Sequence, residues 1–306
     1  MSDIPFICCG AMSDEIIKTL KDISSKYNKK ISLVCSRNQV DSKSNGGGYV
    51  NKFKYSSSLK KLSSKNFLLS RDHCGPYFKD KNYKITLNKE LEACKKTIYD
   101  DIKNNFKYIH IDTSKCKKRQ YEIGEELINF TNQTAQALKK EVFIEYGKEN
   151  HGKVYSINSF KKDLNFLKKF PNIKYLVCQT GSLVNSAFNI GQFEYQKIKI
   201  FKKLAQENNI LLKEHNADYM SKYDIDMRKA LGIDSVNIAP ELSTIQNKII
   251  YFNFLKNNLQ NELKKFSKFV ISNNKWKKWS KSSENNYIKF LVSAHYFYGT
   301  ENYKLL

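Results

Sequence analysis

Eight short apolar runs, each followed by a segment of helical periodicity, divide most of this 306-residue chain. The runs are Ile4–Cys9, Ile31–Cys35, Phe67–Ser70, Tyr108–Asp112, Val142–Tyr146, Lys174–Gln179, Ile210–Lys213 and Ser235–Ala239. Helical spacing is plainest over Ser13–Tyr27, where Ile16, Ile17, Leu20 and Ile23 share one face. Further helices are predicted near Tyr49–Leu62, Asn88–Asn105, Gln120–Lys139, Ser159–Phe170, Gln192–Glu207, Ser221–Leu231 and from Glu241 onward. Runs this short, alternating with helices, predict parallel strands covered by helices. Eight such units, at spacings of roughly 25 to 40 residues, fit a (β/α)8 barrel. An open, doubly wound sheet is the alternative arrangement of the same elements. No Pro/Gly-rich linker and no internal repeat interrupts the pattern, so one domain is expected over residues 1–306. The barrel would take residues 4–265, and a helical tail with Trp276, Trp279 and the aromatic run His295–Tyr298 would take 266–306.

At 41% hydrophobic residues the chain can bury a sizeable core. No apolar run approaches the roughly 18 residues of a membrane span. No basic segment precedes the short apolar run at the N-terminus, which argues against a secretory leader. The seven cysteines are scattered and form no CxxC pair, as expected of reduced thiols in the cytoplasm. The formal charge is +23, which suits a nucleic-acid partner or an anionic substrate. The lysines, however, are spread over nearly every helix and there are only four arginines, so a general Lys/Asn bias accounts for the charge without a nucleic acid.

Chemistry in such folds is placed where strands leave the core. The third run ends in Ser70-Arg71-Asp72-His73 and is stopped by Gly75-Pro76. His110 lies within the fourth strand, two residues before Asp112; His151 follows the fifth and His215 the seventh. In a barrel these imidazoles open at one face, with Glu145, Glu149 and Glu214 nearby. Two or three His plus a carboxylate is a usual set for a catalytic divalent ion. Each has a plainer reading: His110 as a satisfied core residue, His151 as a loop residue, Glu145 as a strand-end carboxylate facing outward. Cys74 reads as a packing residue. Gly46-Gly47-Gly48 lets backbone approach a ligand or a loop but is neither a Walker loop nor GxGxxG. Gln179-Thr180-Gly181-Ser182 offers amide and hydroxyl donors, or a plain turn.

Taken in order, these strand ends resemble those of the class II tagatose-bisphosphate aldolase accessory subunits, a family that also includes keto-sugar-phosphate 4-epimerases. The resemblance rests on Ser36–Val40 with Gly47-Gly48-Tyr49, on Asp72-His73 with Gly75-Pro76, and on Ile109-His110-Ile111-Asp112 with Ser114. It continues through Gln179 and Gly181, His215-Asn216-Ala217-Asp218-Tyr219, and Ala239-Pro240-Glu241-Leu242, from about Ile4 to the tail. It implies a TIM barrel with a divalent metal, zinc first, held by His73, His215 and Glu145, with His110 as a further ligand. It implies Asp72 as the acid/base group, with Glu145 as a second candidate. Asn38, Gln39, Gly48, Arg71, Asp112, Gln179, Ser182, Asn216 and Asp218 would line the substrate. The implied reaction is retro-aldol cleavage or C4 epimerisation of a ketose phosphate or related keto sugar, in a chain that could also form homo-oligomers. The implied alternative is a non-catalytic subunit that stabilises a separate class II aldolase. A nucleic-acid-binding module is the third reading. The chain departs from the family in Ser70-Arg71, where two glycines are usual, in Glu214 before His215, and in Asn237 at a lysine-like position. Arg71 would then supply a new anion contact.

Overall fold

A computed structural model describes residues 4–79, 85–148, 154–178 and 180–304. The alternating runs form parallel strands β1 (Ile7–Gly10), β2 (Ile31–Ser36), β3 (Phe67–Cys74), β4 (Phe106–Ile111), β5 (Phe143–Tyr146) and β6 (Ile173–Cys178). A two-stranded hairpin, β7 (Val184–Asn185) and β8 (Phe188–Asn189), lies in the loop after β6, before β9 (Leu211–Glu214) and β10 (Ser235–Ile238). The eight parallel strands close into a barrel in the order β1-β10-β9-β6-β5-β4-β3-β2. The fold is a (β/α)8 barrel followed by further helices. The crossovers carry α1 (Asp14–Lys26), the single turn α2 (Ser56–Leu59), α3 (Leu87–Lys103), α4 (Gln120–Ala137), α5 (Ile157–Leu167), α6 (Tyr195–Gln206) and α7 (Lys222–Ala230). After β10 come α8 (Pro240–Lys256), α9 (Gln260–Ser272), α10 (Asn286–Leu291) and α11 (Glu301–Lys304). Serine side chains cap α1, α5 and α7, the last in a full capping box with Asp224.

The period-two alternation of each strand separates two kinds of interior. One set of positions, including Cys9, Leu33, Leu69, Ile109, Ile144, Leu176, Leu212 and Val236, joins Ile17, Ile98, Leu127, Phe160 and Phe201 of the helices in one apolar core. The alternate positions include Cys8, Ser32, Ser70, Tyr108, Glu145, Tyr175, Lys213 and Ser235, all buried and none part of that core. These positions face the barrel axis and are largely polar. The Lys213 ammonium donates to both Glu145 oxygens at 2.7 and 2.9 Å. The Ser32 and Ser70 hydroxyls pair, and Cys8 Sγ lies 3.2 Å from Ser235 Oγ. A barrel interior usually holds branched apolar side chains; here a salt bridge fills it. A second apolar cluster, with Leu263, Phe266, Val270, Phe290 and Phe297, joins the helices that follow the barrel.

Two sequence expectations change. Only Ser56–Leu59 and the 3-10 turn Lys60–Leu62 are helical in the predicted 49–62 stretch. The chain before them is fastened to the β2 loop instead, with Tyr49 N donating to Asn38 O and Val50 N to Gln39 O. The third strand also runs on to Cys74 rather than ending at Ser70. Among the described residues no helix is long and apolar enough to cross a membrane. All seven cysteines are buried and free.

Arg71 corrects a further expectation. Its side chain leaves β3 on the helix side and is 0% exposed. The guanidinium donates to Asp101 of α3 at 2.6 and 2.8 Å and to the carbonyls of Cys35 and Val40. Every contact ties β3 to its surrounding frame, so no anion contact at the barrel mouth is left to it. Removing one member of a buried, hydrogen-bonded ion pair strands the other. Arg71→Ala is therefore expected to lower the unfolding free energy by about 3–5 kcal/mol in urea titration, with Arg71→Lys less damaging.

Candidate metal centre

The site begins with an irregularity in β3. Arg71 pairs with Ile109 and Cys74 with Ile111, so β3 uses one more residue than β4 over this stretch. This is a β-bulge, and it re-aims side chains. In a regular strand, Asp72 and His73 would face opposite sides. Here His73 takes φ +45°, a left-handed conformation that costs a side-chain-bearing residue about 1–2 kcal/mol. Asp72 and His73 both turn into the mouth, while Arg71 and Cys74 turn toward the helices. Gly75 then passes so close to β4 that a Cβ there would lie 1.6 Å from the Asp112 carbonyl oxygen. The Asp-His-x-Gly string is thus one piece of geometry.

His110 comes from β4 at an axis-facing position and is 0% exposed. His215 follows the last residue of β9 directly. One ligand atom from each of Asp72, His73, His110 and His215 lies within 4.8 Å of all the others. The three imidazole centroids form a nearly equilateral triangle, 5.1 Å from His73 to His110, 5.3 Å from His73 to His215 and 5.0 Å from His110 to His215. Imidazoles sharing one ion at about 2.1 Å in tetrahedral arrangement hold their centroids about 5 Å apart.

Hydrogen bonds set the ring orientations. His73 Nδ1 lies 2.8 Å from the buried Asp112 carboxylate. That pairing places the His73 proton on Nδ1 and turns the Nε2 lone pair toward the cluster, the usual outer carboxylate of a metal-binding histidine. The Asp112 partner oxygen accepts Ser114 N at 2.8 Å. Phe78 stacks on His73, with centroids 5.0 Å apart, and the Asn38 side chain donates to the Phe78 carbonyl. His110 Nε2 and Asp72 Oδ1 are buried with no hydrogen-bond partner among the described residues. Burial raises the Asp72 pKa, but the imidazoles of His73, His110 and His215 outweigh it and hold the carboxyl well below the usual range. A fixed His73 tautomer, imidazoles gathered with a carboxylate within 4.8 Å and the ionised state of that carboxylate are what a divalent cation requires. The residues fit such an ion.

Glu145, expected as ligand and base, is placed otherwise. Both its oxygens are taken by Lys213 inside the barrel, and it is not among the clustered residues. Lys213 itself went unnoticed in the sequence. Its signal was a lysine at an axis-facing position of the apolar run Ile210–Lys213, where only a buried acid can satisfy it. Of the expected substrate residues, several build the scaffold of the mouth. Gln39 bridges Ser36 N and Met12 Sδ, and a Cβ at Gly48 would lie 2.1 Å from the Gln39 carbonyl oxygen. Ser182 donates to the His215 carbonyl at 2.8 Å. Asn216, at φ +61°, accepts from Asn189 through its carbonyl. Gln179, His151 and Glu149 lie outside the described residues. Asn237 Oδ1 and Ser114 Oγ, at the ends of β10 and β4, are buried without a hydrogen-bond partner among the described residues.

Asp218 is 1% exposed and accepts the backbone N–H groups of Ala239 and Glu241 at 2.8 and 2.9 Å. It therefore fills the N-terminus of α8, where an anion would otherwise dock. Burial pushes its pKa up to about 7, against the two amides. The folded chain thus keeps a proton that the unfolded chain releases near pH 4, and this group's contribution to stability falls as pH rises from about 4 to about 7. Asp218→Asn keeps the acceptor oxygen and is expected to flatten that part of the melting-temperature profile. For the metal centre, Asp112→Asn is expected to weaken zinc binding about 10- to 100-fold in competition titration with a chelator, with the fold intact by circular dichroism.

No protein-family model matches the sequence, and no curated protein matches it. Solved structures do share its fold. A probable tagatose 6 phosphate kinase from Sinorhizobium meliloti 1021 superposes with TM-score 0.79 at 13% identity, over 98% of this chain and 85% of its own. The YdjI aldolase from Escherichia coli K12 gives 0.55 at 13% identity, over 83% of this chain and 82% of its own. The fructose-bisphosphate aldolase from Campylobacter jejuni gives 0.58 at 13% identity, over 84% and 77%. At such identity the likeness is one of fold: this chain has the barrel architecture found in sugar-phosphate aldolases.

Proposed function

We propose that the protein is a metal-dependent enzyme of the aldol type, which cleaves a keto sugar or inverts it at C4. One observation carries this reading: three imidazoles and a carboxylate from three strands converge within 4.8 Å at the barrel mouth. His73, His110 and His215 are the proposed ligands, and zinc the first choice. A divalent ion held there supplies Lewis-acid polarisation of a ketone oxygen.

The chain's own residues do the rest. Asp72, 19% exposed and ionised, is the group that meets substrate. Its carboxylate accepts the C4 hydroxyl proton as the C3–C4 bond breaks, and the bonding pair passes into the former ketone. Rotation of the aldehyde, re-formation of the C3–C4 bond on its other face and return of the proton to the new C4 oxygen give the C4 epimer, whereas departure of the aldehyde and protonation at C3 give cleavage. Asp112 holds His73, and Phe78 covers its ring. With both Glu145 oxygens held by Lys213, Asp72 is the proposed base.

The substrate reading narrows at the phosphate. Asp218 fills the α8 N-terminus. Arg37, Arg71 and Arg228 are buried in ion pairs with Asp41 and Glu90, with Asp101, and with Glu214. We therefore place the substrate among keto sugars that carry no phosphate at the α8 end.

The test is elemental analysis of protein purified without chelators, followed by assays of cleavage, C4 inversion and solvent-deuterium exchange on ketoses with and without phosphate. About one zinc per chain is expected, lost in His73→Ala. Asp72→Asn is expected to lower kcat about 100-fold or more while the fold is retained. A chain that takes up no divalent ion and exchanges no deuterium would sink the reading. Turnover seen only after a class II aldolase is added would assign the accessory-subunit role instead.

A further inference from the structure

Most of the cations near the strand ends are already spent. Asp218 holds the α8 N-terminus, and Arg37, Arg71 and Arg228 are buried in ion pairs. Two lysines of the mouth loops are used in the same way. Lys79, after β3, donates to Asp41 at 2.9 Å, to the Gly47 carbonyl at 2.8 Å and to the Asn45 carbonyl. Lys148, after β5, lies 2.8 Å from Asp163 and donates to the Tyr121 hydroxyl at 3.2 Å.

Lys115 differs. It is exposed in the loop that follows β4, where that strand opens at the mouth. Among the described residues its ammonium has no carboxylate at ion-pair distance and no hydrogen-bond acceptor. What it does touch is Phe78, with Nζ 5.7 Å from the ring centroid. Phe78 in turn stacks on His73, with centroids 5.0 Å apart and planes 10° apart. The ammonium is therefore no farther from the His73 ring than those two distances together, one side chain away from a proposed metal ligand. A six-carbon ketose with its carbonyl at the ion is long enough to place a terminal substituent there. The platform is also fixed: the Asn38 amide donates to the Phe78 carbonyl at 2.9 Å, and Lys79 fastens the next residue to the loop after β2. An exposed cation–π contact is weak and uses no N–H, so all three Lys115 donors are left for a ligand.

We propose that Lys115 is a specificity-determining residue, which binds an anionic terminal group of the keto sugar on the β3–β4 side of the mouth. The proposal rests on the reading of the preceding section and places the substrate's charge away from the α8 end, where Asp218 excludes it. Lysine is a point charge without the fork of arginine, so a phosphate or a carboxylate suits it. The group it holds does not change charge as the C3–C4 bond breaks, so the contact acts on binding and not on turnover.

Calorimetric titration of the full-length protein, with and without added zinc, compares fructose with fructose 1-phosphate, fructose 6-phosphate and fructuronate. At least one anion is expected to bind about tenfold or more tighter than fructose, and the tightest arm identifies the anion and the end that carries it. Lys115→Ala is expected to remove that advantage, Lys115→Glu to reverse it and Lys115→Arg to keep it. Lys117→Ala, at an exposed neighbour, controls for the general field of the chain and is expected to change nothing. In turnover, Lys115→Ala is expected to raise KM for the anionic ketose about tenfold with kcat unchanged, and to leave a neutral ketose unaffected. The proposal is overturned if no anion binds more tightly than fructose, if the advantage survives Lys115→Ala, if Lys117→Ala removes it equally, or if fructose suffers the same loss. Anion binding that depends on Lys115 in a protein that takes up no metal and turns over no ketose would sink the aldol reading and keep the subsite.

Discussion

The extra residue in β3 is the constraint on which the site depends. A strand alternates its side chains, so two adjacent residues cannot both face a barrel axis without a break in register. The bulge between Arg71 and Cys74 supplies that break, and the left-handed conformation of His73 is its local cost. Arg71, just before the break, faces outward in step with Leu69. Its ion pair with Asp101 and its bonds to Cys35 and Val40 then hold the distorted strand against α3 and β2. Strain at the mouth is offset by buried contacts behind it.

A second order of organisation runs along the axis. Burying Lys213 and Glu145 together removes two ions from water, which hydrophobic residues of like volume would avoid. The pair nonetheless holds both Glu145 oxygens, so among the described residues the carboxylate within the cluster is that of Asp72. Similarly, Asp218 closes the anion site at the start of α8, and three of the four arginines are spent inside the structure. Those arginines therefore offer no free guanidinium at the mouth.

The alternation of apolar runs and helical segments was enough to read eight strands, their order of appearance and the barrel, because burial on both faces writes itself into the sequence. The candidate ligands His73, His110 and His215 were legible for a related reason: polar residues at the end of apolar strands have few other uses. The helix expected before Leu62 was not, since three glycines and a set of backbone hydrogen bonds hold that stretch as a loop.

What the sequence by itself determined was the architecture and the inventory of groups at the strand ends. What only the tertiary structure decided was their direction. One inserted residue in β3 turned His73 toward the axis and Cys74 toward the helices. A lysine two strands away in the sheet took both oxygens of Glu145. Hydrophobic periodicity is a local property and survives in one dimension. The pairing of a buried charge depends on which residue lies across the barrel, and this is set only when the barrel closes.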